Sequence, residues 1–190
     1  STGGHVKRTS ALVNIIAKSI KKNKIYDKPD EFYVHVMKAA PMHDLGKITI
    51  SNDILNKPGR FTPEEFEIMK THSEMGEKMV NVVLDGVQDE EFVRIAKNIA
   101  RFHHEKYGGG GYPDNLKGEE IPVEARIMAL ADVYDALVSK RCYKEPMSFE
   151  QAAKIIEESM GPHFDPLLKP VFEECREELE HYFIEIGNRE

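Results

Sequence analysis

Six residues in this chain stand in an order that could hold metal ions: the pair His43-Asp44, the lone His72, the pair His103-His104, and Asp132. Asp132 is the most telling. Between Ala125 and Val138 the only charged side chains are Arg126, Asp132 and Asp135, so a helix there is apolar almost all round and should be buried. No Lys or Arg lies within four residues of Asp132 to pair with it locally. A buried, unpaired carboxylate is costly, so Asp132 needs a distant arginine or a metal ion. The helix alone leaves both open.

The histidines stand where core side chains are expected. Ile68, His72, Met75 and Met79 share one helical face, and Phe92, Ile95, Ile99 and His103 share another. Asp44 falls one turn beyond Ala40 on the face of Val34 and Met37. Taken singly, each imidazole reads more readily as a hydrogen-bonded core histidine than as a ligand. Taken together, four imidazoles and two carboxylates do not satisfy one another in a core without a cation, which favours metal. Asp44, with two oxygens, is the natural bridge between two ions. Mixed His/Asp ligation suits iron, manganese or zinc better than magnesium or calcium. Three other histidines are set aside: His35 and His181 sit in charged, surface-like contexts and read as solvated, and His163 reads as a structural turn residue.

The elements that position these groups read as helices, and period-two alternation is absent, so an all-α fold is expected. Leu12, Ile15, Ile16 and Ile20 space a first helix over 6–23. Pro29 and Asp30 open a second that runs to Leu45 and stops at Gly46, kinked at Pro41 just before the His-Asp pair. Thr62, Pro63 and Glu65 predict a capping box at a helix start, with Phe61 stapled onto Phe66. Further helices are expected over 89–104, ended by Gly108 to Gly111, and over 122–139. Two more between 148 and 180 are separated by the turn at 161–166. The glycine run lacks the Lys-Ser/Thr of a P-loop, so triphosphate cradling is excluded. Lys47 is either a cation complementing a helix end or a phosphate-binding amine beside the metals.

The 190 residues suffice for one domain with a sizeable core, and a net charge of −7 argues against a nucleic-acid polymer as partner. It leaves small anionic substrates open, because metal ions and a few cations invert the local potential. No apolar run is long enough for a membrane span, and Cys142 and Cys175 fit no metal or redox spacing. A reduced, cytoplasmic setting with no membrane contact is therefore expected. The first residue is Ser1 and the helical pattern begins almost at once, which reads as a domain from a longer chain with an upstream sensor or receiver domain.

The string Ala39 to Ile48, the string Asp53 to Gly59, Phe61 to Phe66 and Met69 to Gly76 resemble the HD-GYP domain family. So do the loop His103-His104-Glu105 through Gly111-Tyr112-Pro113 and the segment Ala131 to Leu137. The resemblance covers most of the chain and implies a single all-α bundle with a buried centre of two or three divalent ions, often iron or manganese. It also implies hydrolysis of cyclic di-GMP to the linear dinucleotide or GMP by metal-activated water. Cyclic GMP-AMP as substrate, or a silent binding module, are its alternatives. By resemblance His43, Asp44, His72, His103, His104 and Asp132 match the family's metal ligands, and His5 a ligand of the third ion. Asp44 and Lys47 would be catalytic, and Lys47, Arg141 and Lys144 would contact phosphate beside the Gly111-Tyr112-Pro113 loop. Diguanylate cyclase (GGDEF) domains are an implied partner. In two places the chain departs from the family pattern: Ser1 stands where a glutamate often helps hold the third ion, and Gly108 where an aspartate is common.

Overall fold

The computed structural model describes residues 2–139 and 145–187; Ser1, Arg141, Cys142 and Lys144 lie outside them. Nine α-helices are formed among the described residues, and no strand beyond one isolated bridge between Met160 and Phe164. They are α1 (Thr2–Lys22), α2 (Asp30–Ala39), α3 (Asn52–Leu55), α4 (Pro63–Lys70), α5 (His72–Val83), α6 (Glu90–Phe102), α7 (Val123–Val138), α8 (Phe149–Glu158) and α9 (Leu168–Gly187). None is long and apolar enough to cross a membrane.

Helix α1 is packed against α2, α7 and α9, and buries Leu12, Val13, Ile16, Ala17 and Ile20 completely. Each of the larger of these contributes roughly 1.5–3 kcal/mol relative to exposure. Helix α7 is buried nearly all round, as its lack of charge requires, with Ile127, Met128, Leu130 and Ala131 fully enclosed. The first turn of α1 and the middle of α7 thus meet at one end of the core. Helices α5 and α6 pack on each other and bring the remaining ligands to the same place.

The second helix does not run to Leu45. It ends at Ala39, and two short 3-10 helices follow, Ala40–Met42 and Leu45–Thr49. Pro41 explains the break, since it has no N–H to give and its ring crowds the preceding turn. The consequence is functional. In a continuous helix His43 and Asp44 would point about 100° apart, whereas here they occupy the step between two tight turns and reach one centre. Gly46 lets the second of these turns lie directly on α5: a Cβ there would stand 1.9 Å from the His72 carbonyl oxygen.

Three other expectations change. The face through Ile68 and His72 is interrupted at Thr71, where α4 gives way to α5, so Ile68 is 46% exposed while His72 is buried. On α2 the buried stripe is Phe32, Tyr33, His35, Val36 and Ala39, which turns Val34 outward. His35 is therefore not a solvated side chain: its Nε2 lies 3.1 Å from Asp89 Oδ2 and its ring packs on Phe92. His181 is exposed beside Glu185, and His163 stacks on Phe164 while its carbonyl accepts the Tyr107 N–H, as a turn residue should. The capping box of α4 forms as expected, Thr62 Oγ1 accepting from Glu65 N (3.1 Å) and Glu65 Oε1 from Thr62 N (2.8 Å).

Candidate metal centre

Asp44 stands between two groups of side chains. Its Oδ1 lies 3.6 Å from His72 Nε2 and 3.5 Å from His103 Nε2, with His104 completing that group. Its Oδ2 lies 3.2 Å from both His43 Nε2 and His5 Nε2, and Asp132 completes the other. Within each group the candidate ligand atoms all lie within 4.8 Å of one another. The structure thus brings together every sequence-nominated metal ligand, His5 included.

This arrangement fits cations better than it fits itself. Nitrogens that would otherwise be acceptors face each other, His104 Nε2 to His72 Nε2 at 3.1 Å and His5 Nε2 to His43 Nε2 at 3.2 Å. Both carboxylate oxygens of Asp44 and Nε2 of His103 are buried with no hydrogen bond. Meanwhile the other ring nitrogens are tied back. Nδ1 of His43 bonds Ala40 O (2.8 Å), that of His72 bonds Met69 O (2.6 Å) and that of His103 bonds Ile99 O (2.9 Å). Such bonds fix the tautomer and aim each Nε2 lone pair inward, the usual support of a ligating histidine. The clustered residues suit one or two divalent ions.

The two groups differ in charge. Burial opposes protonation of His5, but the neighbouring Asp132, Asp135 and Asp44 carboxylates prevail and push its pKa up to about 11. Burial is likewise outweighed at His43 by the Asp44 and Asp132 carboxylates, which raise it to about 9. His72 goes the other way, pushed down to about 4 by burial and by the neighbouring His103, and His104 is lowered for the same two reasons. Asp44 and Asp132 resist burial and stay well below the ordinary carboxylate range because histidines surround them. A carboxylate-rich group whose histidines hold protons therefore adjoins a group in which His72 and His104 shed them.

Sequence reasoning missed Asp135 and Arg8. Asp135 Oδ2 lies 2.7 Å from His5 Nδ1, and Arg8 Nε donates to its Oδ1 at 2.6 Å. The distant arginine that Asp132 could have taken serves Asp135 instead, and Asp132 is left to the histidines. Asp135 thereby orients His5 from behind. The one signal was its presence as a second acid in an apolar helix.

Of the loop residues, Tyr112 reaches the site. Its ring stacks on His104 (centroids 4.9 Å apart, planes 17° apart), whereas Gly111 and Pro113 shape the turn that places it. Gly111 lies so close to the His104–Lys106 backbone that a Cβ would stand 2.6 Å from His104 O. Gly108 is held by its N–H to Pro162 O at 3.0 Å, and a Cβ there would stand 2.7 Å from the same oxygen, so this chain's packing requires the glycine. Buried Glu105 anchors the far side of the loop by accepting the N–H groups of Asp114 (2.7 Å) and Leu116 (2.8 Å). Arg101 clamps Asp114 with two parallel bonds of 2.9 and 3.0 Å. Glu105→Ala should leave the part-buried N–H groups of Asp114 and Leu116 without their acceptor, cost on the order of 1–3 kcal/mol and lower the melting temperature by a few degrees. A melt unchanged from wild type would show that the loop is held by other means.

A cavity of about 470 Å³ opens beside the centre. His5, His72, His104 and Asp132 line it, with Lys47 and Tyr112. Lys47 Nζ lies 3.0 Å from Asp44 Oδ2, inside a 3-10 turn rather than at the end of an α-helix, so dipole complementation is not its main role.

Residues 2–168 match the family model described as HD domain. The chain belongs to the HD domain family. Its motifs and relatives are of the HD-GYP type. It is 44% identical over 176 residues to a probable cyclic di-GMP phosphodiesterase of Vibrio cholerae, covering 90% of this chain and 40% of that protein. It is 38% identical over 167 residues to a 3'3'-cGAMP-specific phosphodiesterase 2 of the same organism, covering 88% of this chain and 30% of the relative. The HD domain described here thus spans well under half the length of these relatives. Among solved structures, Bd1817, an HDG"Y"P protein from Bdellovibrio bacteriovorus, shares the fold with a TM-score of 0.67 at 21% identity, over 95% of this chain and 53% of that one. Arg141 and Lys144, the other phosphate contacts nominated from sequence, lie outside the described residues.

Proposed function

We propose that this HD domain is a metal-dependent phosphodiesterase whose substrate is a cyclic dinucleotide, cyclic di-GMP first. The observation that carries the reading is Asp44: one buried carboxylate whose two oxygens face two separate ligand groups, behind a cavity of ligand size that His5, His72, His104 and Asp132 line. Asp44, His72, His103 and His104 would hold one divalent ion and His5, His43, Asp44 and Asp132 a second, with iron or manganese the choice that this ligand set and the family resemblance favour. Bound ions would supply Lewis acidity, lowering the pKa of a water and neutralising phosphate charge.

The chain's own groups account for the rest. Lys47 presents an ammonium to the cavity, where it can receive a phosphate oxygen while its contact with Asp44 keeps it at the centre. Arg141 and Lys144, by family resemblance, join it. Tyr112, stacked on His104, closes one side and limits water there. A third ion is not part of this reading, because the candidate ligands among the described residues fall into two groups.

Relatives named for cyclic di-GMP and for cyclic GMP-AMP are both similar to this chain, so the test must offer both substrates. Protein loaded anaerobically with iron or with manganese is expected to hydrolyse cyclic di-GMP to linear dinucleotide or GMP, and to lose that activity on chelation. Loaded protein that cleaves neither dinucleotide would sink the proposal. Faster cleavage of cyclic GMP-AMP would correct the substrate and leave the chemistry standing.

A further inference from the structure

The wall of the cavity away from the metal-centre residues comes from one stretch of chain, α3, the loop that follows it and the start of α4; its cation, Lys57, is paired with Glu65, and the rest is carboxamide and apolar. Asn52 and Asn56, one turn apart on α3, line the cavity, and neither carboxamide has a partner within the fold. Leu55, Phe61 and Phe66 line it too, and Phe66 leaves 44% of its surface exposed in spite of its apolar ring. Phe66 in turn meets Tyr112 edge to face at 5.9 Å, so the apolar wall is continuous with the loop that covers His104.

We infer that the segment Asn52–Phe66 is a purine-base subsite, in which Phe66 offers a stacking face and Asn52 and Asn56 read the base edge. A carboxamide carries both a donor and an acceptor, and so matches the paired donor and acceptor positions along a purine edge. Aromatic and aliphatic side chains beside such groups are the general way a protein holds an unstacked base. Ordinary surface asparagines need no partner, but these two are turned into a cavity whose opposite wall is the metal centre. This subsite rests on the cyclic dinucleotide reading above. It adds which residues distinguish one nucleotide from another: those of α3, not those of the metal centre. Both asparagines are exposed, so replacing them should not disturb folding.

The experiment compares the metal-loaded wild type with Asn52→Ala, Asn56→Ala and the double variant. Three substrates are used: cyclic di-GMP, cyclic GMP-AMP and the base-free diester bis(p-nitrophenyl) phosphate. The double variant is expected to lose roughly tenfold or more in kcat/KM on cyclic di-GMP, mainly through KM, and to shift the ratio between the two dinucleotides. The loss on the base-free diester should be at least about tenfold smaller. Equal losses on all three substrates, or none on the dinucleotides, would overturn the subsite and leave the phosphodiesterase reading intact. Wild-type protein that cleaves the base-free diester but neither dinucleotide would instead remove the dinucleotide reading, and the subsite with it.

Discussion

Asp44→Asn should reduce turnover of cyclic di-GMP by at least about 10³-fold, equivalent to some 4 kcal/mol in the transition state, and should lower the content of both ions. Among the described residues no other side chain belongs to both groups. Asparagine keeps the volume and one oxygen but removes the charge and turns the second oxygen into an amide donor, which cannot ligate. The ion among His72, His103 and His104 would lose its only carboxylate, and the ion among His5 and His43 would retain Asp132 alone. Fold should survive better than function, because Asp44 makes no hydrogen bond that holds an element in place. Its nearest partners would feel the change: the Asp44 charge is the chief influence raising the His43 pKa, which should fall. Metal stoichiometry, a melting curve and single-turnover kinetics on one preparation separate these effects. Two ions per chain and wild-type turnover in Asp44→Asn would show that the carboxylate does not bridge.

How much of this was legible beforehand follows from which interactions are local. The capping box at Thr62 and Glu65 spans three residues, so the sequence holds all of it. Asp132 betrayed itself through the apolar helix around it, and the histidines through their core-like spacing. The pair Arg8–Asp135 joins residues from opposite ends of the chain, and nothing in either neighbourhood announces the other. Glu105 was visible as part of a motif, but its task is to accept backbone N–H groups nine and eleven residues on, which no side-chain pattern encodes. His35 was misjudged because charged neighbours such as Glu31, one turn back, do not reveal that its ring is buried. The rotation of α2 turns it towards Asp89 and Phe92 and turns Val34 outward. Pro41 was read as a kink and is a stop. The difference matters, since the stop is what lets two successive residues serve one centre.

The two ions should load with different responses to pH. In the metal-free protein His5 and His43, with pKa values of about 11 and about 9, both carry protons at neutral pH. An ion entering their group must displace both, so its apparent affinity should rise with pH by up to about a hundredfold per unit below pH 9, and by less once the first ion has already repelled those protons. His72, lowered to about 4, and His104, lowered by burial and His103, are neutral there and give up no proton, so the affinity of an ion entering their group should depend on pH less steeply between about 6 and about 8. The sign for stability runs against the sign for loading. His5 and His43 have folded pKa values above the unfolded 6.5, so their contribution is full below that pH and is lost as pH rises through about 9 and then about 11. Metal-free protein should therefore melt at lower temperature as pH climbs past 7, while the metal-loaded protein gains its second ion over the same range. Titration of manganese into metal-free protein near pH 6, 7 and 8, with proton release followed in parallel, reads both trends. One weakly pH-dependent event followed by one that strengthens steeply with pH and releases more protons is the expected result. Two events of equal pH dependence, or a second that releases none, would mean that His5 and His43 do not hold the second ion.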